Sequence, residues 1–164
     1  MEGWYVESDI TFEMSKSEQS YIETIYNLIK EYGYARVIDI AAKLSVKPPS
    51  VTNMLQRLDE EKFVTYIKYR GVILTDNGEK IAETLEKRHQ SFKKFLIMIG
   101  ISETIAEKDA CEMEHRIHPE TVTKLAKFVE FVESAPKTPP FLKHFKKYLQ
   151  SGNRPKHCQN KKQN

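Results

Sequence analysis

A chain of 164 residues is long enough for one ordinary domain or two small ones. With 40% hydrophobic and 30% charged residues it has a globular composition, and no apolar run approaches the ~20 residues of a membrane helix, so no membrane role is expected. Cys111 and Cys158 are too few for a disulfide framework, and the formal charge of +3 hides an uneven distribution, because eight basic residues and no acid follow Glu133.

Residues 1–16 interleave Glu2, Glu7, Asp9 and Glu13 with Trp4, Tyr5 and Phe12. They read as a loosely held extension with no secretory signal, and a cytoplasmic location is expected. From Ser17, apolar residues recur at helical spacing through Tyr21, Ile22, Ile25, Leu28 and Ile29, with Ser17 and Ser20 as N-cap candidates and Gly33 as the stop. A short helix from Arg36 to Leu44, a turn at Ser45 to Lys47 and a helix opened by Pro48-Pro49 follow. In the last of these, Val51, Met54, Leu55 and Leu58 point inward, while Ser50, Thr52, Asn53, Gln56 and Arg57 point outward.

That order is a helix-turn-helix. Two β-type runs, Phe63 to Tyr69 and Val72 to Leu74, add a wing joined through Arg70-Gly71, and Thr75 is placed to cap the next helix. The outer face of the Pro48 helix carries short hydroxyl and amide groups, where a merely solvated helix would show Glu/Lys pairs. This chemistry suits base edges and phosphates. Residues 17–78 are therefore expected to form a winged helix-turn-helix DNA-binding domain, with Pro49, Ser50, Thr52 and Asn53 nearest the bases, Lys47, Arg57, Lys68 and Arg70 on phosphates, and Gln56 also on the DNA-facing side. A helical domain with no DNA role is the bland alternative.

Residues 79–134 are expected to form an all-helical domain, giving a mostly α chain. A long helix carries Ile81, Leu85, His89, Phe92, Leu96 and Ile99 down one side and stops at Gly100. The next, from Ser102, holds Cys111, Glu114 and His115 at i, i+3 and i+4, so a thiol, a carboxylate and an imidazole leave one helix face together. These are metal-ligand types, although a solvated Glu-His pair beside a small buried Cys is the ordinary reading of such a pattern. A further helix begins at His118-Pro119, with His118 either capping it or exposed. Residues 135–164 comprise a Pro-rich connector, a basic helix with Phe141, Leu142, Phe145 and Leu149 inward, and a polar tail.

The whole order resembles the metal-dependent repressors typified by the diphtheria toxin repressor and the manganese transport regulators. The resemblance rests on Tyr21-Ile-Glu23-Thr-Ile-Tyr26, the winged helix-turn-helix, Lys87-Arg88-His89 and Glu114-His115. It spans about residues 17–133 and is nearest the two-domain manganese branch. It implies metal ligands at Glu23, His89, Cys111, Glu114 and His115, with Ser20 and Glu107 as neighbours of the site. Cys111 falls where manganese regulators have Glu, and Ser20 where they have Asp. Lys93 falls in a second site of the iron branch.

Mn2+ or Fe2+ is the implied cofactor, with Zn2+ or Co2+ possible in vitro, because a thiolate softens the donor set. No organic cofactor is expected. The implied activity is metal-activated repression by a homodimer on a palindromic operator, the metal locking DNA-reading heads to fit major grooves ~34 Å apart. A metal-independent winged-helix regulator is one alternative. A small metal-dependent hydrolase is more remote, because no general base stands as in a His-Glu-x-x-His helix.

Overall fold

The computed structural model describes residues 14–68 and 70–155. The acidic extension before residue 14, and the tail carrying Lys156, His157, Cys158, Lys161 and Lys162, lie outside them. The elements are α1 (Lys16–Tyr32), α2 (Val37–Leu44), α3 (Pro48–Glu60), β1 (Val64–Ile67), β2 (Gly71–Leu74), α4 (Asp76–Met98), α5 (Glu103–Glu114), α6 (Pro119–Glu133) and α7 (Pro140–Ser151). No helix among the described residues is long and apolar enough to cross a membrane. Two compact units part between Lys87 and Arg88, within α4.

In the first unit, the start of α1 differs from expectation. Ser15 is the N-cap, accepting from the Glu18 backbone while Glu18 accepts from the Ser15 N–H at 2.7 Å, a reciprocal capping box. Ser20, expected as a capping candidate, instead donates its hydroxyl to the Lys16 carbonyl at 3.0 Å. Gly33 ends the helix at φ 78°, a left-handed conformation natural to glycine.

Helices α1 to α3 enclose Ile22, Ile25, Ile40, Val51, Leu55 and Leu58, all fully buried. Each such side chain stabilises the unit by about 1.5–3 kcal/mol. Pro48 and Pro49 open α3 as expected, and Lys47 is its N-cap with no side-chain cap bond.

The wing is an antiparallel hairpin in which Val64 pairs with Leu74 and Ile67 with Gly71. Two backbone approaches fix it in place. The Val72 N–H donates to the Ala35 carbonyl at 3.0 Å, so the turn before α2 extends the hairpin. The Tyr66 N–H donates to Asp59 Oδ1 at 3.2 Å, tying β1 to the end of α3. Gly71 has φ 121°, and a Cβ there would lie 2.7 Å from the Ala35 oxygen. Thr75 caps α4 as expected, accepting from the Gly78 N–H at 3.2 Å. Gly78 packs against the Phe63 carbonyl so closely that any Cβ would overlap its oxygen.

In the second unit, Phe92 and Leu96 of α4 pack with Ala106 and Ala110 of α5 and Val122 of α6. Small residues on α5 let the helices approach closely. The imidazole of His118 accepts from the Glu120 N–H at 3.2 Å, so His118 is the N-cap of α6. Two expectations fail. Helix α5 stops at Glu114, with His115 as its C-cap, because the chain must turn before Pro119. The apolar face of α7 is not covered by the described residues: Phe141, Phe145 and Leu149 are exposed, as are Ile105, Phe128 and Phe131.

Candidate metal centre and nucleic-acid interface

The second unit brings three of the expected ligands together. Donor atoms of Cys111, Glu114 and His115 all lie within 4.8 Å of one another. Although His115 lies beyond the helix, its right-handed φ of −88° continues the turn and keeps its side chain beside that of Glu114. Its Nε2 lies 3.5 Å from Glu114 Oε1. The backbone at this helix end is open, but the side chains of His115 and Glu114 are each only 2% exposed. Cys111 stands exposed at the rim.

His89 joins them from α4. Its Nδ1 lies 3.0 Å from Glu114 Oε2 and its Nε2 3.1 Å from Glu107 Oε1, so the ring is held between two carboxylates. The hydrogen bond to Glu114 raises the His89 pKa; burial opposes this, and the charges of Glu114 and Glu107 reinforce it. Glu107 is in turn held by Lys93, whose ammonium lies 2.9 Å from it and 3.2 Å from Glu103. The Lys93 hydrogen bond lowers the Glu107 pKa, with His89 assisting.

Sequence reasoning includes Arg88 in the Lys87-Arg88-His89 motif but gives it no role. It is buried, and its Nη1 donates to the Glu114 carbonyl at 3.1 Å. A signal was available, since Arg88 falls at helical spacing between the buried Leu85 and Phe92. Glu103 was missed; its position in the first turn of α5 gave only an ordinary helix-start signal.

The donor set fits a divalent cation. A buried carboxylate needs a nearby positive charge, and a proton on His89 can provide it. Imidazole and carboxylate suit manganese, ferrous iron and zinc, and a thiolate favours the softer of these. Of the remaining expected residues, Glu23 lies partly buried on α1 of the first unit, as does Ser20.

The expected DNA-facing residues divide by environment. Lys47, Pro49, Ser50, Asn53 and Gln56 are exposed on α3 or just before it, while Thr52 is half-buried and donates to the Pro48 carbonyl at 3.3 Å. Lys68 and Arg70 are exposed at the hairpin tip. Arg57 is engaged by protein carboxylates, 2.6 Å from buried Glu18 and 3.1 Å from Glu61. The first turn of α3 contains no acid, but Pro48 and Pro49 carry no N–H and the Ser50 and Val51 amides donate to the Lys47 carbonyl at 3.0 and 3.3 Å, so this helix start offers no row of free amides.

Family comparison resolves the architecture. The iron dependent repressor N-terminal DNA binding domain matches residues 13–72, and the metal binding and dimerisation domain of the same repressors matches residues 75–143. Over 117 residues the chain is 44% identical to the HTH-type transcriptional regulator MntR of Geobacillus kaustophilus, covering 71% of this chain and 83% of that protein. The chain belongs to the iron-dependent repressor family. Among solved structures, the hypothetical protein SSo2273 of Sulfolobus solfataricus is 28% identical with a TM-score of 0.59, over 77% of this chain and 99% of that one. The manganese regulator SloR is 28% identical with a TM-score of 0.60, over 73% of this chain and 56% of SloR. As a member of this family the chain is a metal-dependent transcriptional regulator, its DNA-binding domain preceding its metal-binding and dimerisation domain.

Proposed function

We propose that this regulator is a repressor of metal-uptake genes, switched on when a divalent cation is held by Cys111, Glu114, His115 and His89. The convergence of the first three side chains, with His89 against the buried Glu114, carries this reading. Mn2+ and Fe2+ are the assigned cofactors, in keeping with a manganese regulator among the solved relatives and an iron-dependent family. Glu23 is added to the ligand set on the sequence resemblance. A near-complete swing between off and on states needs ~5.5 kcal/mol of differential metal affinity.

The operator is a palindrome bound by a homodimer. The exposed apolar residues Ile105, Phe128 and Phe131 supply a surface for a symmetric contact. On DNA, Ser50, Asn53 and Gln56 read base edges, while Lys47, Lys68 and Arg70 hold phosphates. Arg57 acts mainly on Glu18 and Glu61 and only secondarily on DNA.

Selection of a binding site from random duplex DNA with manganese present, followed by titration with manganese, ferrous iron, zinc or chelator, tests the proposal. Metal should tighten binding at least about tenfold, a coupling of ~1.4 kcal/mol. Equal affinity in chelator would favour a metal-independent winged-helix regulator.

A further inference from the structure

A lysine stands inside the carboxylate cluster beside the proposed metal site. Lys93 projects from α4, its side chain only 20% exposed, with its ammonium 3.2 Å from Glu103 and 2.9 Å from Glu107. The other oxygen of Glu107 faces His89 Nε2 at 3.1 Å, and the opposite nitrogen of that ring faces Glu114 at 3.0 Å. An unbroken relay therefore runs from the ammonium through Glu107 and His89 to a metal-ligand carboxylate.

Without its lysine, this corner would be a second donor set. Two carboxylates converge there, and hard oxygen donors are what manganese or ferrous iron takes. The ammonium already neutralises those carboxylates at contact distance, and a divalent ion could enter only by expelling it. The relay also determines which nitrogen of His89 is available. A metal-bound histidine characteristically donates its other N–H to a carboxylate, which sets the tautomer and ring orientation. Glu107, steered by Lys93, is the carboxylate placed to accept from Nε2, leaving Nδ1 on the Glu114 side.

We propose that Lys93 is a resident cation standing in for a second metal: it restricts each subunit to one divalent ion and, through Glu107, orients His89 with Nδ1 toward that ion. Lys93 is thus a positioning residue, and the inference rests on the metal-site reading given above. It separates this chain from any relative whose corresponding side chain is acidic or neutral.

Manganese bound per subunit, measured by equilibrium dialysis and elemental analysis of the full chain, provides the test. Wild type and Lys93→Arg should each hold about one ion, and Lys93→Glu about two, since the substitution exchanges the cation for a further oxygen donor. Two ions in wild type, or one in a folded Lys93→Glu, overturn the proposal. A wild-type chain that takes up no manganese, iron or zinc sinks the metal-site reading itself, a distinguishable failure.

Should Lys93→Glu not fold, Lys93→Met allows the same decision through the nitrogen NMR of His89 in the zinc-loaded chain. Wild type should show a single tautomer protonated at Nε2. Lys93→Met should lose that uniformity and bind zinc about tenfold more weakly, as removal of an outer partner of a metal ligand generally does. An unchanged His89 spectrum in Lys93→Met overturns the proposal.

Discussion

His89 Nδ1 and Glu114 Oε2 face each other at 3.0 Å, joining α4 to the end of α5. Because that hydrogen bond raises the His89 pKa, the imidazolium persists above the ordinary value near 6.5. Two opposite pH trends follow. The metal-free chain gains stability from charged His89; the gain is fully present below the unfolded-state pKa and disappears as pH rises through the higher folded-state value. Metal uptake needs the neutral ring, so affinity should increase over that same rise. Thermal melting in chelator and manganese titration, each followed from about pH 5 to 8.5, should move in opposite directions, and His89→Gln should flatten both. Parallel trends would show that His89 is not the coupled group.

Cys111 should tune which metal is preferred and leave the fold alone. It is exposed, so Cys111→Glu ought to melt within a degree or two of wild type. Exchange of thiolate for carboxylate should shift the zinc-to-manganese affinity ratio toward manganese by an order of magnitude or so. Competition titrations on both proteins give that ratio directly. An unchanged ranking would remove the thiol from the site.

At the DNA interface, Asn53 and Lys47 should fail in different ways. Asn53→Ala is expected to cost about 1–3 kcal/mol on the selected site and to relax discrimination at one base position. Lys47→Ala should weaken all sequences alike and reduce the salt slope by about one. Binding isotherms across a salt series, on specific and scrambled duplexes, separate the two.

Gly78→Ala should be costly despite the high helix propensity of alanine. Its Cβ has no room beside the Phe63 carbonyl, and the resulting displacement of α4 from the wing should cost about 1–3 kcal/mol. Chemical denaturation gives the value. An equally stable variant would mean that the hairpin yields without penalty.

Local chemistry wrote much of the fold openly into the sequence. Pro48-Pro49 opens α3 through its fixed backbone angle, while Gly33 ends α1 and Thr75 caps α4 through bonds made within a few residues. Cys111, Glu114 and His115 could be grouped because helical spacing alone puts them on one face. What escaped notice depended on distant partners. Nothing near Arg57 announces that Glu18, far away in sequence, will claim its guanidinium, and nothing near Arg88 names the Glu114 carbonyl as its acceptor. The cap at Ser15 is hidden for a different reason: its reciprocal partner Glu18 lies close in sequence, but the apolar period begins only at Tyr21 and does not mark the earlier helix start.

Arg88 and His89 are consecutive, yet both grip Glu114, one by its main-chain oxygen and the other by its carboxylate. With its main chain held by Arg88 and its carboxylate by His89, Glu114 has less freedom left to lose, so part of its ordering precedes any ion. The centre is in this sense preorganised. Arg88→Lys, which keeps the charge and loses the planar fork, should loosen Glu114 and slow metal capture while leaving every donor atom present.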